Sequence, residues 1–363
     1  MENNYWIVYG WLIFKPDFND ETIIYYDVIN KYKKIMFSDY NNPLMAIESN
    51  NQFKDKYYGN YIKSNFNQKI DLSNNINLTH LTFGNDFNQK IDLSKNINLT
   101  HLTFKCGFNQ EIDLLNNINL THLTFGFYFN QKIDLSNNIN LTHLTFGNDF
   151  NHEIDLTKYI NLTFGYDFNQ EIDLSNNINL THLTFGTWFN QEIDLSNNIN
   201  LTHLTFGFCF NQEIDLSNNK NLTHLTFERN FNKKINLSNN KNLIYLSFGN
   251  YFDKEINIPL NVKSLNMYEC NNQYIIDNLH NNIEELFIHG SDLNLDNLPN
   301  SIKKLHISGY NKKLNNLPNS VEYLKLGNYP LKIKKIPKNL KIVKCDKKYK
   351  YIDDFKDCEV ITY

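Results

Sequence analysis

The residue types able to do chemistry in this chain recur at fixed intervals; they do not meet at one place. His80, His101, His122, His143, His182, His203 and His224 form one file, each inside a Leu-Thr-His-Leu-Thr-Phe hexapeptide. Asp71, Asp92, Asp113, Asp134, Asp155, Asp173, Asp194 and Asp215 form a second. Imidazole is both a metal ligand and a group that titrates near neutrality, so the first file could be a metal-binding or pH-responsive strip. Zinc, however, wants ligands that converge tetrahedrally, and equally spaced side chains in a line do not converge. The simpler reading is an exposed histidine ladder beside a threonine ladder. Together the histidines and Thr82, Thr103, Thr124, Thr145, Thr184, Thr205 and Thr226 make a candidate partner-binding face. Aspartate oxygens suit calcium, but the loops lack the glycine-rich calcium repeat and Asn236 and Asn257 take over later in the file. Turn-capping carboxylates are the preferred reading. No nucleophile elbow, P-loop, Rossmann glycine pattern or HExxH occurs. The expectation is a non-enzyme with no catalytic, cofactor-binding or metal residues.

The elements that carry these files follow from the period. Phe-Asn recurs at Phe66, Phe87, Phe108, Phe129, Phe150, Phe168, Phe189, Phe210 and Phe231, 21 residues apart except for 18 between Phe150 and Phe168. A fixed period of this size signals stacked coils. Alternation in Leu-Thr-His-Leu81-Thr-Phe83 predicts a short strand with Leu81 and Phe83 on one face and His80 and Thr82 on the other. Gly84 and its equivalents mark a tight turn. Phe87 returns inward, Ile91-Asp92-Leu93 predicts a second short extended segment, and LSNN closes the coil with turn formers. Leu81, Phe83, Phe87, Ile91, Leu93 and their equivalents are the expected core, and Asn88 with its copies a buried asparagine column. The short interval is expected to delete three residues from the strand itself, where Asn161-Leu162-Thr163-Phe164 replaces NLTHLTF, and so to dislocate the stack. From Leu81 to Val343 the Leu-x-apolar anchor counts out about 14 coils.

The fold class is therefore a β-rich solenoid of coils of about 21 residues with parallel strand ladders and an N-terminal cap. Residues 1–60 read as a cap or small module, 61–258 as regular repeats, 259–345 as degenerate repeats and 346–363 as a C-terminal cap or tail. Ile24, Val28, Tyr32 and Ile35 fall at helical spacing, with Asn19 or Asp20 as a possible cap of that helix. Near the C-terminus Lys332, Lys334, Lys341 and Lys344 alternate with apolar residues, as on an edge strand guarded by charge.

Composition narrows the class further. A net charge of −4 gives no strong nucleic-acid or membrane signal. Five cysteines without a CxxC favour a reducing compartment over a disulfide or zinc framework. The apolar run Tyr5–Phe14 is too short to span a bilayer and lacks signal-peptide flanks. The expectation is a monomeric, intracellular protein, cytoplasmic in its host or source cell.

The unit LTHLTFGNDFNQKIDLSNN closely resembles the FNIP repeat, a leucine-rich-repeat-like motif of social amoebae and giant amoebal viruses. The resemblance is strong over residues 66–258 and extends through LPNSIKKLHI and LPNSVEYLKL toward 345. It departs in carrying Gln-Lys-Ile or Gln-Glu-Ile where the family often has a proline. The resemblance implies a leucine-rich-repeat-like fold and brings no catalytic residues. Some relatives pair the repeats with an F-box, implying substrate recruitment to a ubiquitin ligase, a pattern residues 1–60 do not convincingly show. The expected function is a protein-binding scaffold, with a ligase adaptor or a purely structural array as alternatives.

Overall fold

The computed structural model describes residues 4–50, 62–156, 159–290 and 292–363. It divides into two units, Met1–Asn177 and Ile178–Tyr363. Each is a β-solenoid whose coils contribute one short strand to a parallel ladder.

In the first unit β1 (Tyr5–Val8) and β2 (Trp11–Phe14) form an antiparallel hairpin. Its two-residue turn, Tyr9-Gly10, has positive φ at both positions (49° and 78°), the conformation that matches strand twist in tight hairpins. β2 then pairs in parallel with β3 (Lys34–Phe37). The ladder continues through β4 (His80–Thr82), β5 (His101–Thr103), β6 (His122–Thr124), β7 (His143–Thr145) and β8 (Asn161–Thr163). Leu12, Ile35 and Leu81 occupy one register position, so the stacking begins before the recognisable repeat.

The helix expected around Ile24–Ile35 is not formed. A 3-10 turn (Thr22–Tyr25) and the four-residue α1 (Tyr26–Ile29) are all that is helical there, and Ile35 lies in β3. Ile29 is buried while Ile24 is exposed, so the inward face is offset from the predicted one. Asn19 and Asp20 cap neither segment. The Asn19 Oδ1 accepts the Asn67 N–H at 3.0 Å, and Asp20 accepts the Asn4 amide at 2.9 Å. Helical period alone could not see the competing pull of the ladder edge on Ile35. Over β2 and β3 packs α2 (Pro43–Asn50), where Ala46 joins a buried cluster with Trp11, Ile13 and Met36.

The second unit runs β9 (His182–Thr184), β10 (His203–Phe206), β11 (His224–Phe227), β12 (Tyr245–Phe248), β13 (Ser264–Tyr268), α3 (Gln273–Asp277), β14 (Glu285–His289), β15 (Lys304–Ser308), β16 (Tyr323–Gly327), β17 (Ile342–Cys345) and β18 (Glu359–Thr362). All consecutive strands pair in parallel. The lysine-alternating segment ending at Lys344 is no edge: β17 is flanked by β16 and β18.

Each coil buries the leucine and phenylalanine of its strand, the returning phenylalanine and the LSNN leucine, as predicted. Phe83 and Phe87 stack at 3.8 Å, and Phe206 and Phe210 repeat this geometry. Two corrections apply. The leucine opening each hexapeptide, Leu78, Leu99, Leu120 and their copies, is fully buried and was missed, whereas the Ile91 file is buried only at Ile70, Ile91 and Ile256 and half-buried in the coils between. Ile-Asp-Leu also forms no second strand among the described residues. Its backbone is served by side chains instead: Asp92 Oδ1 accepts the Ser94 N–H at 2.8 Å, and Asp71, Asp113, Asp134, Asp173, Asp194 and Asp215 do the same in their coils. These are turn caps.

The buried asparagine file is not the predicted one. Asn88 is exposed; its Oδ1 accepts the N–H of Asn109 one coil on. The buried file is the second asparagine of LSNN: Asn75, Asn96, Asn117, Asn138, Asn177, Asn198, Asn219 and Asn240. Asn96 donates to the carbonyls of Leu72 (3.0 Å) and Asn75 (2.9 Å), and Asn219 to those of Leu195 and Asn198. One amide thus gives a second donor to each of two turn carbonyls in the coil below, which also accept a backbone N–H of their own turn. The glycine file opens a tight turn, as expected, with the Phe129 N–H donating to the Gly126 carbonyl at 3.3 Å. A Cβ on Gly147 would lie 1.7 Å from the Gly126 carbonyl oxygen, so glycine is there because coils meet backbone to backbone.

The short coil leaves its strand intact. β8 pairs in register with β7, Leu162 opposite Leu144. The three residues are lost ahead of β8: Leu156 and Tyr159 are both buried, and Tyr159 donates its N–H to Asn177 Oδ1 at 2.9 Å. A strand cannot drop residues without leaving the ladder, whereas a turn can be replaced by a shorter one.

Candidate functional site

The candidate face is built from the outward strand positions. Within β4–β7 the imidazoles lie face to face, with centroids 4.1–4.2 Å apart and planes within 11°. In the second unit His182, His203 and His224 stack at 4.2 and 4.3 Å, and Tyr245 continues the file at 5.7 Å. The first file ends against Trp11, whose ring meets His80 edge-on at 5.5 Å.

A neighbouring hydroxyl sets the protonation of each ring. The Thr100 hydroxyl donates to the Thr79 carbonyl at 2.9 Å, which commits its only hydrogen. Its 2.9 Å contact with His101 Nδ1 therefore has Nδ1–H as donor. The same count holds for Thr79–His80, Thr121–His122, Thr142–His143, Thr202–His203 and Thr223–His224. In the neutral ring Nε2 is left as the acceptor. Burial pushes His80, His101, His122 and His203 down to about 4, and nearby positive charge, from Lys34 or neighbouring imidazoles, adds to this. His182 is lowered for the same first reason. At neutral pH these five rings are uncharged.

The face is thus half-buried, not an open ladder; among these histidines His182 is exposed. Thr103, Thr124, Thr145, Thr184, Thr205 and Thr226 accompany the histidines on it. Thr82 does not: it is 2% exposed, paired with Met36 at the end covered by the α2 cluster, and is withdrawn from the face. No group of three or more His, Cys, Asp or Glu arranged to hold a metal occurs among the described residues. No helix among them is long and apolar enough to cross a membrane.

Two features escaped the sequence reading. On β13–β16 the outward positions turn aromatic and charged: Tyr268 stacks on His289 at 4.4 Å, Phe287 on His306 at 4.1 Å, and Glu285 lies 3.5 Å from His306 Nε2. The second feature is the pair of residues between the glycine position and the returning phenylalanine, the most changeable place in an otherwise uniform repeat. In the first unit it reads Asn85-Asp86, Cys106-Gly107, Phe127-Tyr128, Asn148-Asp149 and Tyr166-Asp167, and in the second Thr187-Trp188, Phe208-Cys209, Arg229-Asn230 and Asn250-Tyr251. Column-by-column comparison of the repeats was the signal that could have found it.

The family model described as the FNIP Repeat matches residues 292–329, which hold β15 and β16. The chain is a leucine-rich-repeat-like repeat protein that carries an FNIP repeat at residues 292–329. The match falls on the LPNS coils, the weaker part of the resemblance drawn from sequence, and not on the Phe-Asn coils. Among solved structures the chain is similar to CroV588, described as a novel circular leucine-rich-repeat protein, at 30% identity and a TM-score of 0.54. The alignment covers 96% of this chain and 58% of that one. It also resembles in fold the functional domain of InlJ from Listeria monocytogenes, which includes a cysteine ladder. That match has 18% identity, a TM-score of 0.58, and covers 92% of this chain and 72% of that domain. No curated protein matches the chain in sequence.

Proposed function

We propose that this chain is a non-enzymatic scaffold that binds a protein partner through the strand face carrying His101, Thr103, His122, Thr124, His143 and Thr145, with the equivalent face of the second unit in the same role. The observation that carries the reading is the fixed, neutral imidazole file. Stacked rings and committed Nδ1–H groups leave a row of preorganised side chains that loses little freedom on binding. Such a face suits extended contact with another protein and lacks the paired acid, base or nucleophile that catalysis needs. Residues 11–37 add coils to the ladder, which supports a capping role for the N-terminal segment over a separate recruiting module.

The test is affinity capture from source cells with the full chain, set beside a His122→Glu/Thr124→Glu variant shown by circular dichroism to be folded. A partner captured by the wild type and lost with the variant supports the face. Equal recovery on both would reject it.

A further inference from the structure

The changeable tip residues sit on a constant frame. The N–H of the second residue donates to the carbonyl of the first residue one coil earlier: Gly107 to Asn85 at 2.7 Å, Tyr128 to Cys106 at 3.0 Å, Asp149 to Phe127 at 2.9 Å and Asp167 to Asn148 at 2.7 Å. Side chains that differ from coil to coil are therefore displayed from a hydrogen-bonded edge, the arrangement of a rigid scaffold with adaptable contact residues. What they display in the first unit has a definite chemistry. Phe127 and Tyr128 on one coil are 43% and 53% exposed, and Tyr166, two coils on, is 46% exposed. Phe127 and Tyr128 meet edge-on at 5.0 Å, which fixes one ring against the other.

Between them lie two carboxylates. Asp149 and Asp167 occupy the same place on successive coils; partial burial, and then the neighbouring Asp167 charge, hold the Asp149 carboxyl above its usual range. Elsewhere in this file the chain supplies its own cation: Lys63 pairs with Asp86, and Lys105, standing at a glycine position, reaches the buried Asp39 at 2.8 Å. Among the described residues no lysine, arginine or histidine forms an ion pair with Asp149 or Asp167. Exposed aromatic faces beside uncompensated carboxylates are complementary to ammonium and guanidinium groups, through ring quadrupoles and charge together.

We propose that Phe127, Tyr128, Asp149, Tyr166 and Asp167 form a docking surface for a lysine- or arginine-bearing segment of a protein partner. This surface lies at the strand exits, goes beyond the histidine face, and stands or falls without it.

The test is fluorescence anisotropy of labelled oligolysine, oligoarginine and oligoglutamate titrated with the full chain at low and physiological salt. The basic peptides bind and oligoglutamate does not. Asp149→Asn/Asp167→Asn weakens binding by about three- to tenfold, and Tyr128→Ala by about two- to fivefold. Glu153→Gln/Glu171→Gln removes the same charge from exposed carboxylates off the tips and leaves affinity unchanged. His122→Gln also leaves it unchanged, which separates this surface from the ladder face. Equal affinity for acidic and basic peptides would overturn the proposal. So would no binding of either basic peptide, or equal loss in the two charge-matched double variants.

Discussion

Within the second unit, β9–β12 and β13–β17 belong to one ladder yet hold their coils together with different chemistry. Before β10 and β11 the residue just ahead of the strand is threonine, whose hydroxyl donates to the carbonyl one coil earlier and accepts from the next histidine; before β12 it is Ile244. In the later coils the position alternates in charge. Glu284 lies 3.4 Å from Lys263 and 3.0 Å from Lys303, and Glu322 2.6 Å from Lys341. The returning phenylalanine becomes Tyr310, Tyr329 and Tyr349, each bonding through its hydroxyl to a carbonyl of the coil before. The buried LSNN asparagine gives way to the serine of LPNS: Ser301 donates to Ile283 and Ser320 to Ile302, at 2.7 and 2.8 Å. The backbone of a coil demands only that its buried leucines return and its turn carbonyls find donors. Any side chain that delivers both will serve, which is why the Phe-Asn signature can fade while the ladder persists.

The aromatic spine is where the comparison should break most sharply. Phe210, fully buried and stacked on Phe206 at 3.8 Å, touches the coils on either side. Phe210→Ala is expected to cost about 3–5 kcal/mol in denaturant unfolding. Tyr329→Phe, which removes only a hydroxyl, should cost about 1 kcal/mol. Similar losses for the two would show that the regular spine is not close-packed.

Next in size is the turn donor. Asn219→Ala removes two buried side-chain hydrogen bonds and should cost about 2–3 kcal/mol, whereas Ser320→Ala removes one and should cost about 1 kcal/mol. If the serine variant were the more damaging, the equivalence between LSNN and LPNS coils would fail.

Much of this was legible in the sequence because repetition reports packing. Leu81, Phe83 and Phe87 recur, so their burial could be read from the period. The choice between Asn88 and Asn96 could not. Both recur with equal regularity, and only the path of the chain shows that one asparagine follows an inward phenylalanine to the surface while the other lies beneath a turn. Placing the 18-residue step needed the ladder as well, since hydrogen bonding holds Leu162 opposite Leu144 and the loss falls ahead of β8. At the candidate face the histidines were found but Thr82 was misplaced, because nothing in the repeat reports α2 above it. The tip residues went unread because attention to what repeats passes over the two positions that do not.

The two regions should also part company in acid. His101, His122 and His203 have folded values near 4, below the ordinary 6.5. Their contribution is complete above about 6.5 and is lost as pH falls from there toward 4, because the unfolded chain takes up protons first. Glu284 and Glu322 are held below 4.5 by their lysines, so those ion pairs lose their contribution only below that value, while His306 in the same coils, lowered by burial, follows the imidazole file. Imidazole titration by NMR should give midpoints well under 6.5 for the stacked file, and unshifted midpoints would refute it.

Salt gives the smallest effect and sharpens the contrast. Exposed Lys–Glu pairs are screened, while a hydroxyl–imidazole relay without net charge is not. Lys303→Met should lower the melting temperature slightly in dilute buffer and not at all in molar salt. Thr202→Val removes the donor to the Thr181 carbonyl and the acceptor for His203 Nδ1, and should cost the same in both. If the threonine variant proved the salt-sensitive one, the histidines would have to be charged in the folded chain, against the proton count that assigns each ring one hydrogen at Nδ1.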